Sequence, residues 1–251
     1  GASVIALAEV ASKMGVIDIQ VSTGQTLTNS IQNVAEGKTD IAASPFILTF
    51  LMANGLGPYA KLGKDSGSAL ASKLAVLYTY RVAVGGLYAY DSSDFEGWDG
   101  IEGATIYNGP PRGAALTEAR LLIKLNTGLE DGVGYTGIQV NWGQAVKTIQ
   151  DGSADAFVLP MGFPDGRITA ALSSGDITIW SVPKNVYDGN EFNKVAGLPG
   201  TVGFEIPISD MGYGSGVTVV SEDGNFRGLG TVGGEVVNVD MDFDTAKALT
   251  A

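Results

Sequence analysis

Asn29-Ser-Ile-Gln-Asn-Val-Ala-Glu36-Gly37-Lys-Thr-Asp40-Ile-Ala-Ala-Ser44-Pro45 aligns without a gap on Gln144-Ala-Val-Lys-Thr-Ile-Gln-Asp151-Gly152-Ser-Ala-Asp155-Ala-Phe-Val-Leu-Pro160. The glycine, aspartate and proline recur at one offset, since 152−37, 155−40 and 160−45 are all 115. Each copy has the pattern of an amphipathic helix, a glycine stop, a short apolar strand and a proline at the strand's end. A chance match of two common helix–glycine–strand units is the competing account. Read as a repeat, the pair predicts two similar α/β lobes. In open α/β sheets ligands collect beyond the carboxyl ends of strands, so facing lobes are expected to form a ligand cleft.

Val4, Leu7, Ala8, Ala11 and Met14 follow helical spacing up to Gly15. Residues 17–22 alternate apolar and polar side chains and predict a strand. Ser44 and Pro45 predict an N-cap and first position for the next helix. Residues 74–87 form a long strand-like run broken at Gly85-Gly86, and residues 105–107 a short strand. The following helix is expected to bury Ala115, Ala119, Leu122 and Ile123, and the next one Trp142, Val146 and Ile149. A strand over 154–159, a helix over 164–174 and a strand over 177–180 complete an alternation that implies mainly parallel sheets. Past Pro183 the pattern weakens, with strands expected at 217–220 and 234–238 and a helix from Asp244. Both ends of the chain read as truncated or unobserved, because no strand precedes the first helix and the last helix stops in mid-pattern.

The 251 residues carry a formal charge of −12 and no cluster of Lys or Arg. Phosphate neutralisation needs grouped cations, so nucleic acid is not an expected partner, and anionic membrane surfaces are disfavoured. The sequence has no cysteine and no histidine. Thiolate nucleophiles, disulfides, serine–histidine hydrolases and the usual zinc sites are thereby excluded. No carboxylate pair has a spacing that argues for acid–base catalysis, no loop reads as a metal site, and no cofactor is expected. No apolar run reaches spanning length. Glu9 and Lys13 lie in a helical pattern that begins almost at residue 1, so an export signal is expected to have been removed.

Tyr107-Asn108-Gly109-Pro110-Pro111-Arg112-Gly113-Ala114-Ala115 carries the chain from strand to helix through a stiff turn. Amides at a helix start lack intrahelical partners and suit a carboxylate, and Arg112 adds a fork able to hold one with two hydrogen bonds. An ordinary surface connection with its arginine in water is the alternative. Thr23-Gly24-Gln25-Thr26 is the counterpart in the first lobe, and alone reads better as an N-capping turn. Arg81, among apolar neighbours, is expected to be covered and to need an acceptor, either Asp40, Asp91 or a ligand anion. Tyr78, Tyr80, Trp142 and Phe163 fall at element ends where rings wall pockets, although Trp142 and Phe163 equally suit a core.

The segments 23–26, 37–42, 108–115 and 151–157, with the closing Val237-Asn-Val-Asp240-Met-Asp-Phe-Asp-Thr-Ala-Lys247-Ala-Leu-Thr250, resemble the TAXI-type solute receptors of TRAP (tripartite ATP-independent periplasmic) transporters. The resemblance implies a type II periplasmic binding-protein fold, α/β, with two lobes closing over a ligand. Lobe 1 is expected at 1–87 plus 227–251 and lobe 2 at 88–226, with hinge strands near 74–90 and 227–238. It also implies a periplasmic, non-enzymatic protein that passes a small organic anion, glutamate-like or a dicarboxylate, to membrane permease subunits. Ligand contacts transfer to Thr23, Gly24, Gln25 and Ser44 in lobe 1, and to Arg112, Gly113, Ala114, Trp142, Met161 and Phe163 in lobe 2. Tyr80 and Arg81 join that set as a second anchor, although the pair departs from the commonest family pattern. The family's opening strand and first loop are mostly missing, so their contacts are unassigned. The alternative function is an enzyme acting on a small carboxylate on a similar two-lobed frame; a transcription regulator's sensing domain lacks a DNA-binding segment here.

Overall fold

A computed structural model describes residues 2–111 and 113–250, without the Ala2 side chain. The chain is a mixed α/β protein that divides into two compact units, Gly1–Val82 with Thr231–Ala251, and Ala83–Gly230.

Unit 1 opens with α1 (Ala2–Lys13), α2 (Leu27–Ala35), β1 (Ile41–Pro45), α3 (Phe46–Ala53), a short 3₁₀ helix and α4 (Gly63–Ala71). Strand β2 (Leu74–Tyr90) then leaves this unit and enters the other. Unit 2 contains β3 (Thr105–Tyr107), α5 (Ala114–Thr127), β4 (Thr136–Ile138), α6 (Trp142–Gln150), β5 (Ala156–Met161), α7 (Gly166–Ala171) and β6 (Ile177–Trp180). It continues through α8 (Lys184–Tyr187), α9 (Asn190–Ala196), β7 (Thr201–Pro207) and β8 (Val217–Val220). Strand β9 (Asn225–Asn238) returns the chain to unit 1, where α10 (Phe243–Ala248) follows.

Both copies of the sequence repeat fold as helix, glycine and strand, one in each unit. Gly37 and Gly152 end α2 and α6 with φ of 71° and 62°, a backbone conformation that side-chain-bearing residues disfavour. The inner face of α2 (Ile31, Val34, Ala35) is fully buried, and Val34 packs with Ala42 of β1 and Val236 of β9. In unit 1, β1 runs antiparallel to β9, with Ile41 opposite Val237 and Pro45 opposite Gly233.

In unit 2, β3 is parallel to β4 (Tyr107 opposite Ile138) and to β5 (Tyr107 opposite Phe157). Strand β5 is antiparallel to β2, and β6 pairs antiparallel with β2 and parallel with β8. The expected mainly parallel sheet is therefore mixed. Alternation puts Tyr88, Tyr107 and Phe157 on one face and Leu87, Ile106, Ala156 and Val158 on the other, and each face carries its own core. Ala119, Leu122 and Ile123 of α5 cover the second face; Ala145 and Ile149 of α6 with Ile168 and Ala171 of α7 cover the first.

Several expectations are corrected. Residues 17–22 form no strand. They have no ladder partner among the described residues, and unpaired extended backbone stays hydrated. Ser44 lies inside β1 and Pro45, not Ser44, takes the N-cap position of α3, because β1 runs on to the helix without a capping turn. Strand β2 continues unbroken through Gly85-Gly86, where the glycines serve close packing. A Cβ on Gly86 would sit 2.1 Å from the Met161 Cε, and one on Gly228 of β9 would sit 2.6 Å from the Gly85 carbonyl oxygen. Farther along β9, a Cβ on Gly233 would lie 2.3 Å from the Ser44 oxygen, and one on Gly234 2.1 Å from the Tyr78 oxygen. The helix expected over 164–174 contracts to α7, and α8, α9 and β7 arise where the pattern gave no signal.

Candidate functional site

Strands β3, β4 and β5 are parallel, so their carboxyl ends emerge on one edge of the unit 2 sheet. Three turns leave that edge: 108–113 after β3, 139–141 after β4 and 162–165 after β5. Gly113 and Ala114, Trp142, and Met161 and Phe163 lie on or beside these turns. Arg112 lies outside the described residues. Gly113 is the N-cap of α5 in extended conformation (φ −86°, ψ 162°), which leaves the first amides of α5 without intrahelical acceptors.

The side chain at the centre of this edge is Arg167, which sequence reasoning missed. Asp165 caps α7 by accepting the Arg167 backbone N–H at 2.8 Å. Its carboxylate also accepts from the Arg167 Nε at 3.0 Å, the Nη2 at 2.8 Å and the Gly162 N–H at 3.1 Å. Nη2 donates further to the Pro160 carbonyl. The guanidinium carbon stands 5.0 Å from the centroid of the Trp142 ring, in cation–π range. Among the described residues, the hydrogen bonds of the guanidinium use Nε and Nη2, and Nη1 is in none of them. The Arg167 side chain keeps 22% exposure while the Asp165 side chain keeps 8%.

Burial alone would raise the Asp165 carboxyl, but the Arg167 hydrogen bonds and charge, helped by the two amides, hold it below the ordinary range. Burial likewise opposes the Arg167 charge, and Asp165 outweighs it. The pair is fully ionised at neutral pH. Phenols surround it. Burial pushes Tyr107 and Tyr213 each up to about 12. Tyr213 accepts from the Asp165 backbone N–H at 3.0 Å. Tyr88 is raised by complete burial, and its hydroxyl has no hydrogen-bond partner among the described residues. Phe163 stacks on Phe204 and meets Phe226 edge-on, with centroids at 5.6 and 5.4 Å. Met161 is part of the core beneath. Such a site presents one oriented guanidinium edge on an aromatic wall, suited to a planar anion such as a carboxylate.

The unit 1 residues are dispersed. Thr23 lines a largely apolar groove of about 470 Å³ with Ile5, Ala8, Ser12, Lys13 and Val21, while Gly24 (φ 83°) and Gln25 lie exposed beside it. Ser44 is fully buried and bonds the Thr49 hydroxyl at 2.9 Å, so it presents nothing to a ligand. The Tyr80 hydroxyl bridges the Ser3 hydroxyl (2.8 Å) and the buried Glu235 carboxylate (2.9 Å), and its pKa is raised by burial. Arg81 is exposed, not covered, because that stretch of β2 buries only part of its surface; the premise of a buried cation there fails.

Among the described residues no cluster of carboxylates could hold a metal ion, and no helix is long and apolar enough to cross a membrane. No protein-family model matches the chain, and no curated protein does. Solved structures similar to it are periplasmic binding proteins. One is a TRAP periplasmic solute-binding protein from Chromohalobacter salexigens with bound (S)-(+)-2-amino-1-propanol, 11% identical, with 98% of this chain and 66% of that one covered and a TM-score of 0.49. A second TRAP protein from the same organism, with bound D-glucuronate, is 12% identical over 100% and 72% of the two chains, again at 0.49. The aliphatic sulphonate binding protein of Escherichia coli is 14% identical over 69% and 54%, at 0.45. The chain thus spans about half to two-thirds of the length of the first and third of these proteins.

Proposed function

We propose that this chain is a solute-binding protein that takes a small organic carboxylate at the carboxyl edge of β3, β4 and β5. The observation that carries the reading is Arg167, held in one orientation by Asp165 and Pro160, faced by Trp142, with Nη1 left for an anion. The open amides of α5 supply further donors on the same edge. Tyr88, Tyr107 and Phe163 set the shape and polarity of the surroundings. The finer assignment follows the motif resemblance: a TAXI-type receptor of a TRAP transporter, acting in the periplasm and delivering a glutamate-like acid or dicarboxylate to membrane permease subunits. Strands β2 and β9, which each pass from one unit to the other, are the proposed flexing connections.

Native mass spectrometry of the purified protein, followed by calorimetric titration with L-glutamate and succinate, tests the proposal. A bound small acid recovered unchanged, with affinity lowered at least about tenfold in Arg167→Ala, is the expected result. Equal affinity in the variant removes Arg167 from the site. Conversion of the acid during incubation points to the enzyme reading instead.

A further inference from the structure

The turn after β3 is held by a polar network that runs from the fully buried Asn108 through the part-buried Asp131 and Gln139 to Arg120 at the surface. Asn108 is fully buried. Its backbone N–H donates to the Ile138 carbonyl at 3.1 Å, its Nδ2 to Asp131 Oδ2 at 3.2 Å, and its Oδ1 accepts from Gln139 Nε2 at 2.9 Å. Asp131 in turn accepts from Arg120 Nε and Nη2 at 2.9 and 2.7 Å and from the Gly137 N–H at 2.8 Å. Burial opposes the Asp131 charge, yet these donors keep its pKa below the ordinary value. One amide side chain therefore joins the end of β3, the end of β4 and the 131–137 loop.

Immediately after Asn108 come Gly109, with φ of 98°, then Pro110 and Pro111. The prolines fix their own φ, and a Cβ on Gly109 would sit 3.1 Å from the Ala115 Cβ. The first half of the turn therefore has little internal freedom, and the direction in which Asn108 launches it bears on where the α5 amides arrive. Burying an amide against a carboxylate is costly unless its polar atoms are bonded, and here both the Asn108 amide nitrogen and its oxygen have a partner.

We infer that Asn108 and Asp131 are positioning residues for the proposed anion-binding start of α5: they touch no ligand and set its affinity through the path of the backbone that leaves β3. The inference rests on the proposed role of that helix start. Its test compares Asn108→Ala, Asp131→Ala, their double variant, Gln139→Ala and Arg120→Ala by titration with L-glutamate and succinate, each variant's fold checked by circular dichroism and melting. Asn108→Ala is expected to weaken the acid at least about tenfold, and the double variant no more than Asp131→Ala alone, because the two act as one unit. Arg120→Ala, which removes two donors from Asp131 but leaves the Asn108–Asp131 bond in place, is expected to weaken the acid clearly less than Asn108→Ala does, by about two- to threefold, and to lower the melting temperature. Should Asn108→Ala fail to fold, Gln139→Ala, which removes one of the Asn108 bonds from a half-buried position, is expected to cost about threefold. Wild-type affinity in a folded Asn108→Ala or Gln139→Ala, or equal loss in Arg120→Ala, overturns the inference and leaves the Arg167 site standing. A wild-type chain that binds neither acid overturns the reading of the site, and this inference with it.

Discussion

The Arg167 guanidinium lies 5.0 Å from the Trp142 ring centroid while its other side is tied to Asp165 by two hydrogen bonds, at 3.0 and 2.8 Å. Arg167 is the second residue of α7, and Trp142 opens α6, one crossover earlier in the chain. The carboxylate fixes the fork in its plane and the ring faces it. An incoming carboxylate would meet a donor that needs no rearrangement, which is where oriented arginines differ from lysines.

Replacing Arg167 with lysine keeps the charge and loses the fork. We expect the anion affinity of Arg167→Lys to fall nearly as far as that of Arg167→Ala. Arg167→Ala also strands the Asp165 carboxylate, with a stability loss of about 2–4 kcal/mol. Urea denaturation alongside calorimetry separates the two effects; a lysine variant with native affinity would contradict the oriented-fork account.

Trp142→Leu retains apolar bulk but not the ring face. The expected loss is about 0.5–2 kcal/mol of anion affinity, because the guanidinium is then freer to turn. Titration of the variant checks this, and no change would reduce Trp142 to core packing.

Asp165 has a folded pKa below its ordinary value near 3.8, so its contribution to stability is complete above that value. It is lost as pH falls through the lower, folded pKa. Melting curves should therefore show wild type and Asp165→Asn separated by a constant interval above about pH 5, an interval that narrows only in stronger acid. A difference that first opens below pH 4 would reverse the assignment.

Ser44→Ala removes the 2.9 Å bond to Thr49 at a fully buried position. It is expected to lower stability by roughly 0.5–1.5 kcal/mol and leave anion affinity untouched. Weaker binding in a variant of native stability would restore Ser44 to the ligand set.

Gly137→Ala places a Cβ 2.4 Å from Asp131 Oδ2 and 2.5 Å from Asn108 Nδ2. Both partners are held, so relief must come from the network itself, and we expect a loss of about 1–3 kcal/mol in chemical denaturation.

The repeat at offset 115 was legible because helix, glycine and strand each leave a local signature, and both copies fold that way. The turns at 108–113 and 162–165 carry glycine and proline, whereas Gln139-Val140-Asn141 carries neither and left no mark of its own. Arg167 was not marked either, since it falls inside the helix read over 164–174 and nothing singled it out there. The Asp165-Gly166-Arg167 run, an aspartate at a helix start with a cation two residues on, is the signal that was there to find. Ser44 and Arg81 show the opposite failure. Their neighbours suggested a cap and a buried charge, but burial is decided by distant segments: by β9 alongside Ser44, and by the partial covering of β2 at Arg81. Residues 17–22 alternate correctly, yet alternation without a hydrogen-bonding neighbour does not make a ladder.

Along β9, hydrogen atoms at 228, 233 and 234 stand where any methyl group would press on a carbonyl oxygen of Gly85, Ser44 or Tyr78. A saturation scan should therefore find these three positions among the least permissive in the chain, more so than the surface turns after β3, β4 and β5. Evolution can retune what the proposed site takes at the sheet's edge, while this seam of bare backbone stays closed to change.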